Sequence, residues 1–168
     1  MLCFTLTGIL LLVGVTRDSA AQRRVPGQPG AESTQVSVIA RVGTKSYTSK
    51  VYGACKHEPS ASIYDVPAAL WTVEGKGSGG SDIQQLSFTL WRPKNGSADQ
   101  ISLSLEAGSS SASLSVNPRG KSGGAASVQL QPVGSGGKFE VKGKDAKGIT
   151  VNLTISCPTF AAVEAEGG

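Results

Sequence analysis

Chemistry-bearing side chains are scarce in this chain: aromatic residues make up 5%, charged residues 17%, and there is a single histidine, His57. Acid–base or nucleophilic catalysis needs such groups positioned together. Here the carboxylates are scattered singly, which argues against a hydrolase. Outside the first few residues, two cysteines and one histidine cannot close the usual four-ligand structural zinc site, and no motif calls for a cofactor. The glycine-rich stretch Gly75-Lys-Gly-Ser-Gly-Gly80 lacks the Gly-Lys-Ser/Thr ending of a phosphate loop, and it reads as a mobile surface turn. Nucleic acid is excluded as a partner, because neither interleaved aromatics nor a dense basic stripe is present.

What is present suits one exported domain. The 168 residues include 22 glycines and are 39% hydrophobic, enough for one core and too few for a large multidomain enzyme. Leu2 to Val15 is an uncharged apolar run, shorter than the roughly 20 residues of a membrane span, and small residues at Ser19-Ala-Ala21 follow it. Residues 1–21 are therefore expected to be a cleaved secretory signal, with a membrane anchor as the alternative. Its removal takes Cys3 and leaves Cys55 and Cys157. The net charge stays at +4, because Arg17 and Asp18 leave together.

Ile149 to Cys157 alternates without a break. Ile149, Val151, Leu153, Ile155 and Cys157 fall on one face, with Thr150, Asn152, Thr154 and Ser156 on the other, the signature of a half-buried strand. Because Cys157 shares the aliphatic face, its partner must reach it through the core, and Cys55 is the remaining candidate. The expected bridge closes a loop of 102 positions. Chain-entropy models assign such a loop roughly 4–5 kcal/mol, and an oxidising compartment permits it.

Residues 22–34, rich in Pro and Gly, read as a flexible linker. The domain is expected over 35–158, opening with a hairpin in which Val36, Val38, Ala40 and Val42 alternate with polar neighbours before the turn at Gly43-Thr-Lys45. Residues 56–82 are less regular. Asp65 before Val66-Pro67 would cap a short helical turn, or Leu70 to Glu74 would form a strand. Farther on, Leu86/Phe88/Leu90, Ile101/Leu103/Leu105, Leu114/Val116, Val128/Leu130 and Phe139/Val141 mark successive inward faces separated by turn residues. Short strands about ten residues apart predict an all-β fold, a small antiparallel β-sandwich or barrel of about 7–9 strands with one disulfide. Pro158 favours leaving the ladder, so a disordered tail is expected over 159–168.

Candidate sites are few. In Cys55-Lys-His57-Glu58 a sulfur, an imidazole and a carboxylate are close in sequence. With Cys55 bridged this is a polar turn, whereas a free thiol beside His57 would suit a soft metal or thiol chemistry. For recognition there are Trp71, Trp91, Tyr47, Tyr52 and Tyr64. Trp91 follows inward Leu90 and so points outward, where it either stacks on a sugar, lipid or partner surface or covers a sheet edge. Trp71, next to Leu70, reads as a core plug, with ligand contact the alternative. Asn95-Gly-Ser97 and Asn152-Leu-Thr154 fit the N-glycosylation pattern.

The opening hairpin with Gly43-Thr-Lys-Ser-Tyr47, the cysteine after it, and Gly137-Lys-Phe-Glu-Val-Lys-Gly143 closing on Ile149 to Cys157 resemble the LpqH-type mycobacterial lipoprotein antigens. The similarity covers Val36 to Cys55 and Gly137 to Cys157. It implies a paired Cys55 and Cys157 and a small exported envelope protein without catalysis, discussed as an antigen, adhesin or lipid-interacting module. The family's lipidated cysteine follows its signal, whereas Cys3 precedes the apolar run here. The sequence thus predicts a non-catalytic secreted, periplasmic or envelope-associated protein, with no transmembrane span after signal removal. Its expected partner is an envelope component, a glycan or a lipid. The alternative is a carbohydrate- or lipid-binding β-sandwich that uses Trp91 and Trp71.

Overall fold

The computed structural model describes residues 33–163. The expected signal over 1–21 and nearly all of the linker lie outside the described residues. The elements within are all strands: β1 (Thr34–Val42), β2 (Lys45–Ile63), β3 (Val66–Gly77), β4 (Ile83–Pro93), β5 (Gln100–Ala107), β6 (Ser110–Val116), β7 (Gly124–Val133), β8 (Gly136–Asp145), β9 (Thr150–Cys157) and the short β10 (Ala161–Ala162). They follow the order β6-β5-β4-β3-β2-β1-β9-β8-β7, with β10 added to β2, in an antiparallel, nearly closed nine-stranded barrel.

The alternation read from the sequence is what fills this barrel. Val36, Val38 and Ala40 of β1, Leu86, Phe88 and Leu90 of β4, and Val151, Leu153 and Ile155 of β9 are all buried, and no polar or charged side chain is buried among the described residues. Each fully buried aliphatic or aromatic side chain contributes roughly 1.5–3 kcal/mol. Polar Ser102, Ser104, Ser113 and Ser127 face outward. An apolar inside and a polar outside reverse the arrangement of a membrane barrel, and no helix among the described residues is long and apolar enough to cross a membrane.

Closure fails at one junction for a geometric reason. Every neighbouring pair from β6 round to β7 is antiparallel. An even number of reversals leaves β6 and β7 pointing the same way. Parallel neighbours need a crossover of about a dozen residues or more, and residues 117–123 are too few to supply one. The backbone pairing beside the seam is the isolated antiparallel bridge Ser115↔Gly123, between β6 and the link into β7. Val128 and Leu130, expected on a buried face, are only half-buried.

The bridge forms as expected. Cys55 and Cys157 are joined with their Cα atoms 6.1 Å apart. It links β2 to β9, the two strands flanking β1, on the inner face at the end where β1 begins.

Four sequence expectations are corrected. Of the two alternatives for this segment, the strand over Leu70 to Glu74 is present within β3 and the helical turn capped by Asp65 is not: β2 continues to Ile63 and β3 starts at Val66, with Tyr64 and Asp65 as a two-residue turn at φ 52° and 63°. Pro59, which has no amide hydrogen, sits in the bulge between Glu58 and Ala61 where the ladder tolerates it. Gly75 and Gly77 belong to β3, and the turn is confined to 78–82. Gly75 is buried opposite Gly53, and a Cβ on it would lie 2.5 Å from Val51 Cγ2, so glycine lets β2 and β3 close up here. Ile149, expected on the buried face, lies just before β9 and is 37% exposed.

Finally, the domain does not end at 158. Phe160 donates its N–H to the Ser135 carbonyl at 2.9 Å and packs on the core, and β10 pairs with Lys56 and His57.

Candidate binding surface at one end of the barrel

The two tryptophans lie on neighbouring strands and opposite faces. Trp71 of β3 points inward and is 8% exposed. His57, its register partner on β2, stacks on it with centroids 4.4 Å apart and planes 8° from parallel. From β4 on the other flank, the Arg92 guanidinium stands 5.9 Å from the Trp71 ring centroid. Rings continue inward from His57 through Phe160 to Phe139 and Phe88, at centroid spacings of 6.0, 5.9 and 5.2 Å. Such pairs contribute about 0.5–1.5 kcal/mol each beyond their area, so Trp71 works as a structural ring in this stack.

His57 is committed to the same cluster. Its Nδ1 lies 3.0 Å from the Leu70 carbonyl oxygen, which only accepts, so Nδ1 carries the proton. Cys55, expected either to bridge or to act beside His57, is bridged. Among the described residues no group of three or more His, Cys, Asp or Glu is placed to hold a metal ion. Arg92 donates from Nε and Nη2 to Asp99 at 3.0 and 2.7 Å, and Nη2 reaches the Val128 carbonyl on β7 at 3.4 Å. The hydrogen bonds to Asp99 raise the Arg92 pKa above its ordinary value against the opposing effect of burial, and the charged head stands at the seam.

Trp91 lies on the outer face of β4 and is half-buried. Its register partners are Leu70 on β3 and Gln100 on β5. Leu70 is buried although it lies outside the core cluster, so the outer face carries an apolar spot here. Next to it opens a small cavity lined by Ile63, Tyr64 and Val66 of the β2–β3 hairpin, Pro93, Gln100, and Pro118 and Arg119 of the β6–β7 link. Ile63 and Val66 pair across the two-residue turn and present their side chains on the face shared with Ala68 and Leu70.

Local chemistry fixes the rim. Asn117 Oδ1 accepts the Arg119 amide at 3.0 Å and the Asn117 carbonyl accepts the Gly120 amide at 3.2 Å, a side-chain-capped turn that holds Arg119 in place. The Arg119 guanidinium lies 5.1 Å from the Tyr64 ring centroid, within cation–π range. Tyr64 itself is 49% exposed. Gln100 Oε1 is buried with no hydrogen-bond partner. Tyr47, by contrast, donates its hydroxyl to Ser110 Oγ at 2.8 Å, and Tyr52 lies on a separate outer patch beside Lys76. Asn95 is exposed on the β4–β5 link, and Asn152 sits within β9.

Of the recognition candidates named from sequence, the structure brings Trp91 and Tyr64 to this outer corner, along with Arg119. Gln100, Ile63, Val66 and Pro118 were missed. An apolar residue on each side of Tyr64-Asp65 was the available sign of a hairpin. Comparison with protein-family models, curated proteins and solved structures finds no match to this chain.

Proposed function

We propose that this chain is a non-catalytic exported surface or envelope protein, a rigid binding and display module in the manner of an antigen or adhesin. The observation that carries the reading is where the reactive groups go: both described cysteines are bridged and the one histidine is stacked and hydrogen-bonded as part of the frame. A bridge between β2 and β9 fits an oxidising compartment. The apolar signal-like run over Leu2 to Val15 and the resemblance to LpqH-type antigens support the same destination. Mass spectrometry of the protein recovered from intact cells tests it. The expected species is found outside the cytoplasm, lacks residues 1–21 and is two hydrogens lighter than the reduced chain. A cytoplasmic, full-length chain with free thiols would refute it.

A second reading is supported by the outer corner specifically. Trp91, Tyr64 and Arg119 offer ring faces and hydrogen-bond donors on the outer face, the mixture with which proteins hold glycans or lipid headgroups. In this reading Trp91 makes the contact, and Trp71 supports the strand that carries it.

A further inference from the structure

Charge is distributed unevenly round the barrel. The strand register puts Lys142 of β8 and Arg41 of β1 in one outward row, on either side of Asn152, and Lys138 and Lys50 in another, on either side of Ser156 and Ser37. Lys144 extends the patch at one end, and Lys76, opposite Tyr52, extends it at the other. Neighbouring strands are about 4.8 Å apart and outward residues along a strand about 7 Å, so the patch is about 20 Å across. Its six cations face two carboxylates, Glu140 and Glu74, leaving +4, which equals the charge of the entire chain. Glu140 is tied to Lys138 at 2.6 Å, and Glu74 accepts the Ser87 hydroxyl at 2.8 Å. Across the barrel, four strands from β1, β5 carries no Lys or Arg, and neither does β6 beside it.

Between the two rows of cations stands an aliphatic side chain that is left in water. Ile39, on the outer face of β1, is 55% exposed. Its ladder neighbours are Thr48 and Thr154, which are too short to cover it. Tyr52, 41% exposed, lies two rows away on the same face. Because β1 is paired on both edges, it offers no free backbone group to an incoming strand. The outside of a barrel is convex at Ile39, so it cannot enclose a small ligand there. A broad surface fits, with Ile39 at the crest and the long lysine stems reaching down on its flanks.

We infer that the β9-β1-β2 face docks this protein on an anionic lipid bilayer, with Ile39 entering the headgroup layer and Arg41, Lys50, Lys142 and Lys144 meeting lipid phosphates around it. Each basic residue near such a surface gains from its potential, and an apolar side chain gains from the acyl boundary beneath. A soluble polyanion matches the cations and offers Ile39 nothing. A neutral bilayer takes Ile39 and leaves the cations without partners, whereas an anionic bilayer satisfies both. The inference goes beyond the display reading by giving the module an orientation: docked on β1, it turns the Trp91 corner, three strands away on β4, out from the membrane.

The test sediments the purified, disulfide-bonded protein with vesicles of phosphatidylcholine alone and with vesicles of equal parts phosphatidylcholine and phosphatidylglycerol. The inference expects the mixed vesicles to bind at least tenfold tighter, and added salt to weaken that binding as the charges are screened. Equal binding to the two vesicles, or binding to neither, overturns it. Long-chain polyphosphate forms a further arm. A protein that holds polyphosphate and ignores the mixed vesicles has a polyanion face, which also overturns the inference.

Substitutions locate the face. Arg41→Gln and Lys142→Gln are each expected to weaken binding to mixed vesicles about fivefold. Lys94→Gln and Lys121→Gln, on the β4–β5 and β6–β7 links, remove the same charge elsewhere and should leave it unchanged. Equal losses from both pairs would mean that net charge and not this face is read, and would overturn the inference. Ile39→Thr keeps a β-branched residue on the strand, so it should melt no lower while binding several-fold more weakly, and full binding by this variant would likewise overturn it. Brominated acyl chains separate this face from the corner: Trp91 emission should stay unquenched in the bound state, and quenching would move docking to Trp91.

Discussion

Where β1 lies between β2 and β9, the inward residues are sealed: Val36, Val38 and Ile155 are all at 0% exposure. Across the barrel, Ala126, Val128 and Leu130 of β7 occupy the same alternating positions and remain half-buried, packed against the core from one side. The residue types are alike and the periodicity is the same. What differs is the neighbourhood, because β7 has a hydrogen-bonded strand on one flank and the unladdered seam on the other. Alternation decides which way a side chain points. An open flank does not by itself expose the inward residues, since β6, on the other lip of the seam, still buries Ala112 and Leu114; burial depends on what packs over each strand as well as on its ladder.

The sharpest way to break this comparison is to truncate one residue from each region. Phe139→Ala removes a fully buried ring that touches Phe88 and Phe160, and it should cost about 3–5 kcal/mol in urea unfolding. Leu130→Ala at the seam should cost about 1 kcal/mol, since only part of its side chain leaves water. Equal losses would mean that the seam is packed as tightly as the bridged side.

Next in size is the bridge. Replacing Cys55 and Cys157 together by Ala should lower stability by about 2–4 kcal/mol, read as a lower urea midpoint than that of the oxidised wild type. A smaller effect on the seam side follows for Arg92, whose side chain is 39% exposed. Arg92→Lys loses the bidentate grip on Asp99 and the reach to Val128. After allowance for solvent screening, the change should be about 0.5–1 kcal/mol, with faster amide exchange along β7 as the more specific sign.

The smallest expected effect is electrostatic and lies on β8. Lys138 Nζ donates to Glu140 Oε1 at 2.6 Å, and this bond, reinforced by the charge of Lys138, holds the Glu140 carboxyl below its ordinary pKa. A carboxylate whose folded pKa is depressed contributes stability above its unfolded pKa and loses it as the pH falls through the folded value. Wild type and Glu140→Gln should therefore differ slightly at neutral pH and converge in acid, below about pH 4. Curves that stay parallel through the acid range would show the pair to be silent.

How much of this was legible in the sequence follows from the same physics. β1, β4, β5 and β9 were readable because their inward residues follow period 2 and each has a strand on both flanks. The β2–β3 arm was not, since Leu70 and Trp71 are consecutive and both buried, one on each face of β3, which erases the alternation. Its turn, Tyr64-Asp65, lacks the glycine that marks such turns, and Gly75 and Gly77, which look like loop residues, serve a close approach between strands. Phe160 lies beyond Pro158, where only the tertiary contact with Phe139 and His57 reveals its place. At the candidate site, the outward direction of Trp91 could be read from Leu90. The cavity beside it could not, because its walls come from links separated by more than fifty residues.

The central claim is that recognition belongs to the outer corner at Trp91 while Trp71 is part of the frame, and two single-indole proteins measure it directly. Envelope glycans and neutral lipid vesicles are titrated into Trp71→Phe, which keeps Trp91, and into Trp91→Phe, which keeps Trp71, with emission recorded for each. The account predicts that a binding component shifts the emission of Trp91 and leaves that of Trp71 where it was. A shift confined to Trp71 would contradict it.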